Sequence, residues 1–398
     1  MAYPRHTVAR AAILLFTVHA TVGSSSQATA RLHSRGGRFM ATPTANRPLD
    51  MDKLHTLLGQ AVGDMGAALH AALIVIGDKL NLYRTMGAGE RFTPAELARR
   101  TDTAERYVRE WLNANAASKY VEYDAATGTY YMTPEQSFAL AQDDSAVHLP
   151  GFYHMVASCM KDEEKLTEIF RTGKGFGWHE HEKGLFSGCE RFFRPGYLAN
   201  LTTNWIPALD GVEAKLKTGA RVADVGCGHG ASTLLMAQTY PESEFFGFDY
   251  HDASIDTARE KAMKAGLGDR VHFDVAPAKA FPGKGYDFVA CFDCLHDMGD
   301  PAGAAHHVRE AIASDGTWMI VEPIAGDDVA ANLNPVGRIY YSASTVICVP
   351  ASLSQEVGAG LGAQAGEKKI GEAVSAGGFK HFRRATETPF NMVFEARP

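Results

Sequence analysis

Arg221-Val222-Ala223-Asp224-Val225-Gly226-Cys227-Gly228-His229-Gly230-Ala231-Ser232-Thr233 is the stretch from which the rest of the chain can be read. Val222, Ala223 and Val225 have the pattern of a short buried strand. The glycines at 226, 228 and 230 end it in a tight turn, and residues 231–238 have a helical pattern. Strand, glycine turn and helix form the opening unit of a doubly wound α/β domain, whose ligand lies across the carboxyl end of the strand. Glycine permits positive φ there and lets a ligand approach the backbone without meeting a Cβ.

A dinucleotide fits this turn poorly. The spacing is G-x-G-x-G, not the G-x-G-x-x-G of pyrophosphate binding. Asp224, two residues before the first glycine, places a carboxylate where it would repel a diphosphate and suit a cation. Further on, Phe245-Phe246-Gly247-Phe248-Asp249 reads as a second strand ending in an acid able to accept hydrogen bonds from both hydroxyls of a ribose. The stretch 221–233 resembles the first motif of class I S-adenosylmethionine-dependent methyltransferases, whose cofactor carries a sulfonium and an amino group. The resemblance implies that Asp224, Gly226, Cys227, Gly228 and Gly230 form the turn and hold the methionine end. It places Asp249, with Tyr250 beside it, on the ribose. Asp274, at the end of a third strand 271–274, is implied at the adenine amino group, with Val275 and Ala276 near the ring and Phe292 among the cofactor-binding residues.

The α/β alternation continues with a helix at 257–265, strands at 286–293 and 317–321 joined by a helix at 306–313, and two tail strands at 379–384 and 391–395. The resemblance implies a Rossmann-like domain over 210–398, with a seven-stranded, mostly parallel sheet and an antiparallel end. Residues 325–366 form a long insertion rich in glycine and alanine, which in such proteins often covers the acceptor. Its polar and aromatic candidates are Arg338, Tyr340, Tyr341 and Ser344.

Methyl transfer is an in-line displacement, for which the protein must supply alignment and, for a hydroxyl acceptor, a place for the proton. A base is expected past the fourth strand. There, Cys294-Leu295-His296-Asp297-Met298-Gly299-Asp300 resembles the Leu-His-Asp-Trp-x-Asp segment of plant-type and related bacterial O-methyltransferases. That likeness assigns the general base to His296, with Met298 in place of the tryptophan. Asp297 or Glu322 would orient the imidazole and stabilise its protonated form. An amine or thiolate acceptor would need no base, and His296 would then be a binding residue.

The amino-terminal part has a different pattern. Helical apolar spacing runs through 51–82. Thr93 and Pro94 open a short helix, a second follows at 103–117, and strands at 120–123 and 129–132 flank a turn, which is the order of a winged helix. Arg106, Arg109 and Lys119 could contact phosphates, but Glu105 and Glu110 share the second helix, so a scaffold or dimerisation role is favoured over DNA binding. The domains expected are a 1–49 extension, a 50–142 winged-helix dimerisation domain, a 143–209 helical connector and the 210–398 cofactor-binding domain. Connector aromatics, including Phe152, Trp178, Phe186, Phe192, Phe193 and Tyr197, would pack the junction or line an apolar acceptor pocket.

The remaining features exclude more than they assign. The formal charge of -7, with 45% apolar residues among 398, makes nucleic acid a poor partner and provides for real cores. Six scattered cysteines indicate a reducing, cytoplasmic setting. The acid-free start, with Arg5 and Arg10 before an apolar run, would suit organelle import or secretion if residues 1–39 were a targeting segment. No stretch is expected to reach the roughly 18 to 20 apolar residues of a membrane span. The Cys291/Cys294 pair reads as strand, His179-Glu180-His181-Glu182 as a polar loop, and no metal is expected. The reading is therefore a homodimeric methyltransferase acting on a small, largely apolar molecule, at a hydroxyl oxygen. Its alternatives are an N- or C-methyltransferase on the same scaffold and a winged-helix regulator that binds S-adenosylmethionine as a ligand.

Overall fold

The computed structural model describes residues 49–398, and expectations placed on residues 1–48, the targeting segment among them, lie outside the described residues. The chain divides at Ala71 into two compact units. Of the first, the described part is the beginning of the helix Met51–Lys79. This helix corrects the expectation that no stretch reaches span length, because its alanines and glycines keep its polarity low. This one helix among the described residues is long and apolar enough to cross a membrane, with a hydropathy of 1.4 over its best window and 17% of that window buried. Leu57, Met65, Leu69 and Ile76 are exposed along it.

Within Ala72–Pro398, the first elements form the winged helix. Thr93 caps the helix Pro94–Arg100 in a reciprocal capping box with Glu96, and the helix Glu105–Ala117 follows. Strands β1 (Glu122–Asp124) and β2 (Thr129–Tyr131) pair antiparallel as the wing. Arg106 pairs with Glu110 and Arg109 with Glu105 one turn away, so the basic residues of the second helix are matched along its own surface.

Seven strands build the main sheet: β3 (Arg221–Val225), β4 (Glu244–Asp249), β5 (Val271–Val275), β6 (Tyr286–Phe292), β7 (Ile312–Pro323), β8 (His381–Glu387) and β9 (Asn391–Arg397). Their order is β5-β4-β3-β6-β7-β9-β8, parallel from β5 to β7, with β9 antiparallel to both β7 and β8. Alternate residues feed two cores. Val222, Phe245, Phe288, Ala290 and Met319 lie on one face, and Ala223, Phe248, Val289, Cys291 and Ile320 on the other. Burial on both faces explains why these strands read as nearly unbroken apolar runs. The strand sequence reverses direction between β3 and β6, which opens a crevice at their carboxyl ends.

Candidate active site

The glycine turn follows β3 with positive φ at Gly226, Gly228 and Gly230. At Gly226 a Cβ would stand 2.7 Å from Cys294 Sγ, and at Gly230 one would meet the Phe273 ring at 2.6 Å, so close packing as well as conformation demands glycine at both. Over Gly228 the space is open. Its N–H donates to Asp249 Oδ2 at 3.0 Å, while His251 N–H donates to Oδ1 at 2.9 Å. Burial holds the Asp249 carboxyl above its ordinary range, against these two hydrogen bonds.

Asp224 does something other than expected. Its side chain is fully buried and does not line the crevice; Ser232 Oγ and Thr233 Oγ1 both donate to Oδ2 at 2.6 Å. Burial raises its pKa to about 6 in spite of those hydrogen bonds. The residue ties β3 to the first turn of the helix Ala231–Thr239, so it fixes the glycine turn from behind. Asp274 and Val275 also depart from expectation. They are exposed at the end of β5, and Asp274 pairs with Arg259 at 3.6 Å. The chain enters the crevice one residue later, at Ala276, Pro277 and Ala278.

A cavity of about 520 Å³ occupies the crevice. Gly226, Cys227, Gly228, Asp249, Tyr250, Ala276 and Phe292 line it, together with His296 and Asp297. The connector supplies Phe152, Met155, Trp178, Phe186, Phe192, Phe193 and Tyr197, while the insertion contributes Ile339, Tyr340, Ile347 and Cys348. Tyr340 hydroxyl donates to the Phe390 carbonyl at 2.8 Å. Arg338, Tyr341 and Ser344 do not line the cavity. Of the loop at 179–182, His181 is buried against Asp162 at 2.9 Å and Glu182 accepts from Ser158 Oγ at 2.9 Å, so both have structural partners.

At the far end, His296 is 3% exposed. Its Nδ1 contacts Glu322 Oε2 in a short hydrogen bond, and Glu322 Oε1 accepts from Leu295 N–H at 3.0 Å, which fixes the carboxylate. Asp297 Oδ1 lies 3.0 Å from Nε2. Burial opposes a charge on His296, yet the Glu322 and Asp297 carboxylates outweigh it and hold the imidazole well above its ordinary range. Cys348 brings its sulfur to the same place: one ligand atom from each of His296, Asp297 and Cys348 lies within 4.8 Å of the others.

Two features of the lining are absent from the sequence reading. Asp293 ends β6 with φ 50°, has Oδ1 held by Asn391 Nδ2 at 2.9 Å, and leaves Oδ2 buried without a hydrogen-bond partner among the described residues. Burial pushes its carboxyl well up. An acid at a strand end was visible in the sequence; its left-handed backbone was not. Glu190, from the helix Gly184–Asn200, joins His229 of the glycine turn at 2.8 Å and also pairs with Lys261.

Comparison with known proteins accounts for this architecture. Residues 216–359 match the family model described as a methyltransferase domain, and residues 67–142 match the Rv2258c-like winged HTH domain. The two matches follow one another along the chain, the winged helix first. The ubiquinone biosynthesis O-methyltransferase of Leptothrix cholodnii is 30% identical over 155 residues, 38% of this chain and 63% of that protein. The chain spans less than two thirds of the length of the curated relatives it first matches. Human N-acetylserotonin methyltransferase, solved with its cofactor, superposes with a TM-score of 0.63 at 15% identity, covering 89% of this chain and 99% of that one. An O-methyltransferase family protein from Burkholderia thailandensis gives 0.63 at 18% identity, covering 88% and 98%. These structures share the fold of both parts, and the methyltransferase domain carries the cavity at the carboxyl edge of its parallel strands.

Proposed function

We propose that the chain transfers a methyl group from S-adenosylmethionine to a hydroxyl oxygen of a small, largely apolar molecule. The observation that carries this reading is the continuity of one cavity from the glycine turn and Asp249, past Phe292, to His296 beneath connector and insertion aromatics. The turn fits the cofactor: Gly228 leaves open space, and a half-buried acid, Asp249, stands beside it to accept from ribose hydroxyls. When bound, the cofactor supplies a methyl group already activated by positive sulfur. The protein's own part is then alignment, exclusion of water and removal of a proton.

Phe152, Trp178 and Phe192 supply the apolar wall that would hold the acceptor. Glu322 fixes the imidazole through Nδ1, leaving Nε2 as the nitrogen available to the acceptor once the Asp297 carboxylate turns aside. A neighbouring cation disfavours imidazolium, so cofactor binding would move His296 toward the neutral form able to take the proton. Glu322 then stabilises the imidazolium as the C–O bond forms. In this reading the chain is a cytoplasmic homodimer that needs no membrane, the exposed apolar residues Leu57, Met65, Leu69 and Ile76 being covered by a second copy.

One observation favours a second reading. Because two carboxylates hold His296 protonated, it could bind and orient an amine or carbon acceptor instead of serving as a base. The charge matching of Arg106 and Arg109 with Glu110 and Glu105 weighs against a DNA-binding regulator.

Calorimetric titration with S-adenosylmethionine tests the central claim. The wild type should bind, and Asp249→Ala should bind about 100-fold more weakly through loss of the ribose hydrogen bonds. A folded protein that ignores the cofactor would refute the reading. With the cofactor established, turnover of phenols but not matched anilines separates O- from N-transfer.

A further inference from the structure

The charges around the cavity are unbalanced. Glu190, Asp249, Asp293, Asp297 and Glu356 line it, and no lysine or arginine does so among the described residues. Glu190 is matched by Lys261 and His229, and Glu356 lies at an exposed rim with Lys279 3.6 Å away. Asp249 belongs to the cofactor end, where its oxygens accept backbone N–H groups. What remains is the transfer end, where Asp293, Asp297 and Glu322 surround one imidazole. Asp293 Oδ2 is buried there without a hydrogen bond from described residues, and Asp297 Oδ1 meets only His296 Nε2, at 3.0 Å.

On the reading that this cavity takes a methyl acceptor, we infer that the acceptor carries no carboxylate, phosphate or sulfate: it is a neutral or cationic aromatic alcohol, selected by Asp293 and Asp297. The physical reason is twofold. An anionic group in the transfer end would face the Asp297 and Glu322 carboxylates in a low-dielectric enclosure, where the one imidazole is already matched by those two acids and no guanidinium or ammonium lines the wall. A hydroxyl, amide N–H or ammonium would instead give Oδ2 of Asp293 the hydrogen bond it lacks, or join His296 as a second donor to Asp297. The aromatic wall of Phe152, Trp178 and Phe192 accepts a flat apolar body, and its faces also favour a cation. Asp293 is well suited to this role because Asn391 anchors its other oxygen and the backbone at φ 50° sets its direction.

The test uses the full chain saturated with S-adenosylhomocysteine and three matched naphthols: one bearing a carboxylate, one a carboxamide and one an aminomethyl group. Titration at pH 7.5 should show the amide and the ammonium binding about 30-fold or more tighter than the acid. In Asp297→Asn, which removes a charge, and in Asp293→Ala, which removes the unpartnered oxygen, that gap should narrow by roughly 10-fold in each. Retained binding of S-adenosylhomocysteine by each variant shows that it is folded. Comparable binding of the acid and the amide, a gap that survives both substitutions, or binding of neither the amide nor the ammonium would overturn the inference. Failure to bind S-adenosylhomocysteine in the wild type would instead strike the methyltransferase reading, so the two failures are distinguishable.

Discussion

Two buried clusters of charge in this protein are built on opposite principles. Asp78, on the helix Met51–Lys79, receives Arg191 in a two-pronged contact of 2.6 and 2.9 Å, His154 Nε2 at 2.8 Å and Arg84 at 3.1 Å. Asp143 completes the network through Arg84 and Arg191. Each carboxylate there meets a guanidinium. Burial alone would raise the Asp78 pKa, but Arg191 and its neighbours drive it far below the carboxylate range. The cluster around His296 has carboxyls in excess and, at Asp293, a buried oxygen without a partner among the described residues. A buried charge is tolerated when paired, and one left unpaired is costly unless a ligand completes it. The first cluster therefore reads as structure, joining the winged-helix side to the cavity-lining helix Gly184–Asn200, and the second as a site awaiting a substrate.

Breaking the second cluster should act on turnover. His296→Ala is expected to lower kcat by about 10²- to 10⁴-fold while leaving cofactor affinity, read by calorimetry, within a few-fold of wild type. Full turnover in that variant would move the protein to the N- or C-transfer reading.

Breaking the first cluster should act on stability instead. Asp78→Ala removes the buried carboxylate shared by Arg191, Arg84 and His154, leaves the half-buried Arg191 with Asp143 alone, and should cost about 2–3 kcal/mol in urea unfolding. The pH dependence has a definite sign. Because the folded carboxyl of Asp78 is depressed, its contribution is complete above the unfolded value of about 4 and is lost as pH falls below it. A variant that unfolds with the wild-type midpoint would show that the network contributes little.

The sequence made the scaffold legible because periodicity reports burial directly. Glycines at 226, 228 and 230, apolar runs in β3, β4 and β6, and Thr93 before Pro94 each have one dominant physical cause. Side-chain direction at strand ends was harder to read. Asp224 was expected at the ligand, yet it faces the helix, and its partners Ser232 and Thr233 were in plain view in the opening stretch. Asp274 and Val275 miss the crevice by one or two positions, because the chain turns into it only after β5 has ended, at Ala276. Asp293 could not be assigned before its φ was known. The Arg191–Asp78 contact joins residues 113 apart in sequence, and neither periodicity nor a motif reports such a pair.

Asp224 supplies a subtler test of the same comparison, since it is buried like Asp78 but compensated by hydroxyls alone. Its folded pKa is raised to about 6. Between the unfolded value of about 4 and that value, the folded state holds a proton that the unfolded state has released, so stability falls as pH rises through this window and is level above it. Asp224→Asn can retain an oxygen for Ser232 and Thr233 while removing the charge. It should flatten the wild-type decline and gain on the order of 2 kcal/mol at pH 7. Thermal unfolding from pH 4 to pH 8 reads both effects. A variant less stable than wild type throughout would mean that the hydroxyls need the charged carboxylate, and that hydroxyl donors can do for a buried acid what guanidinium does for Asp78.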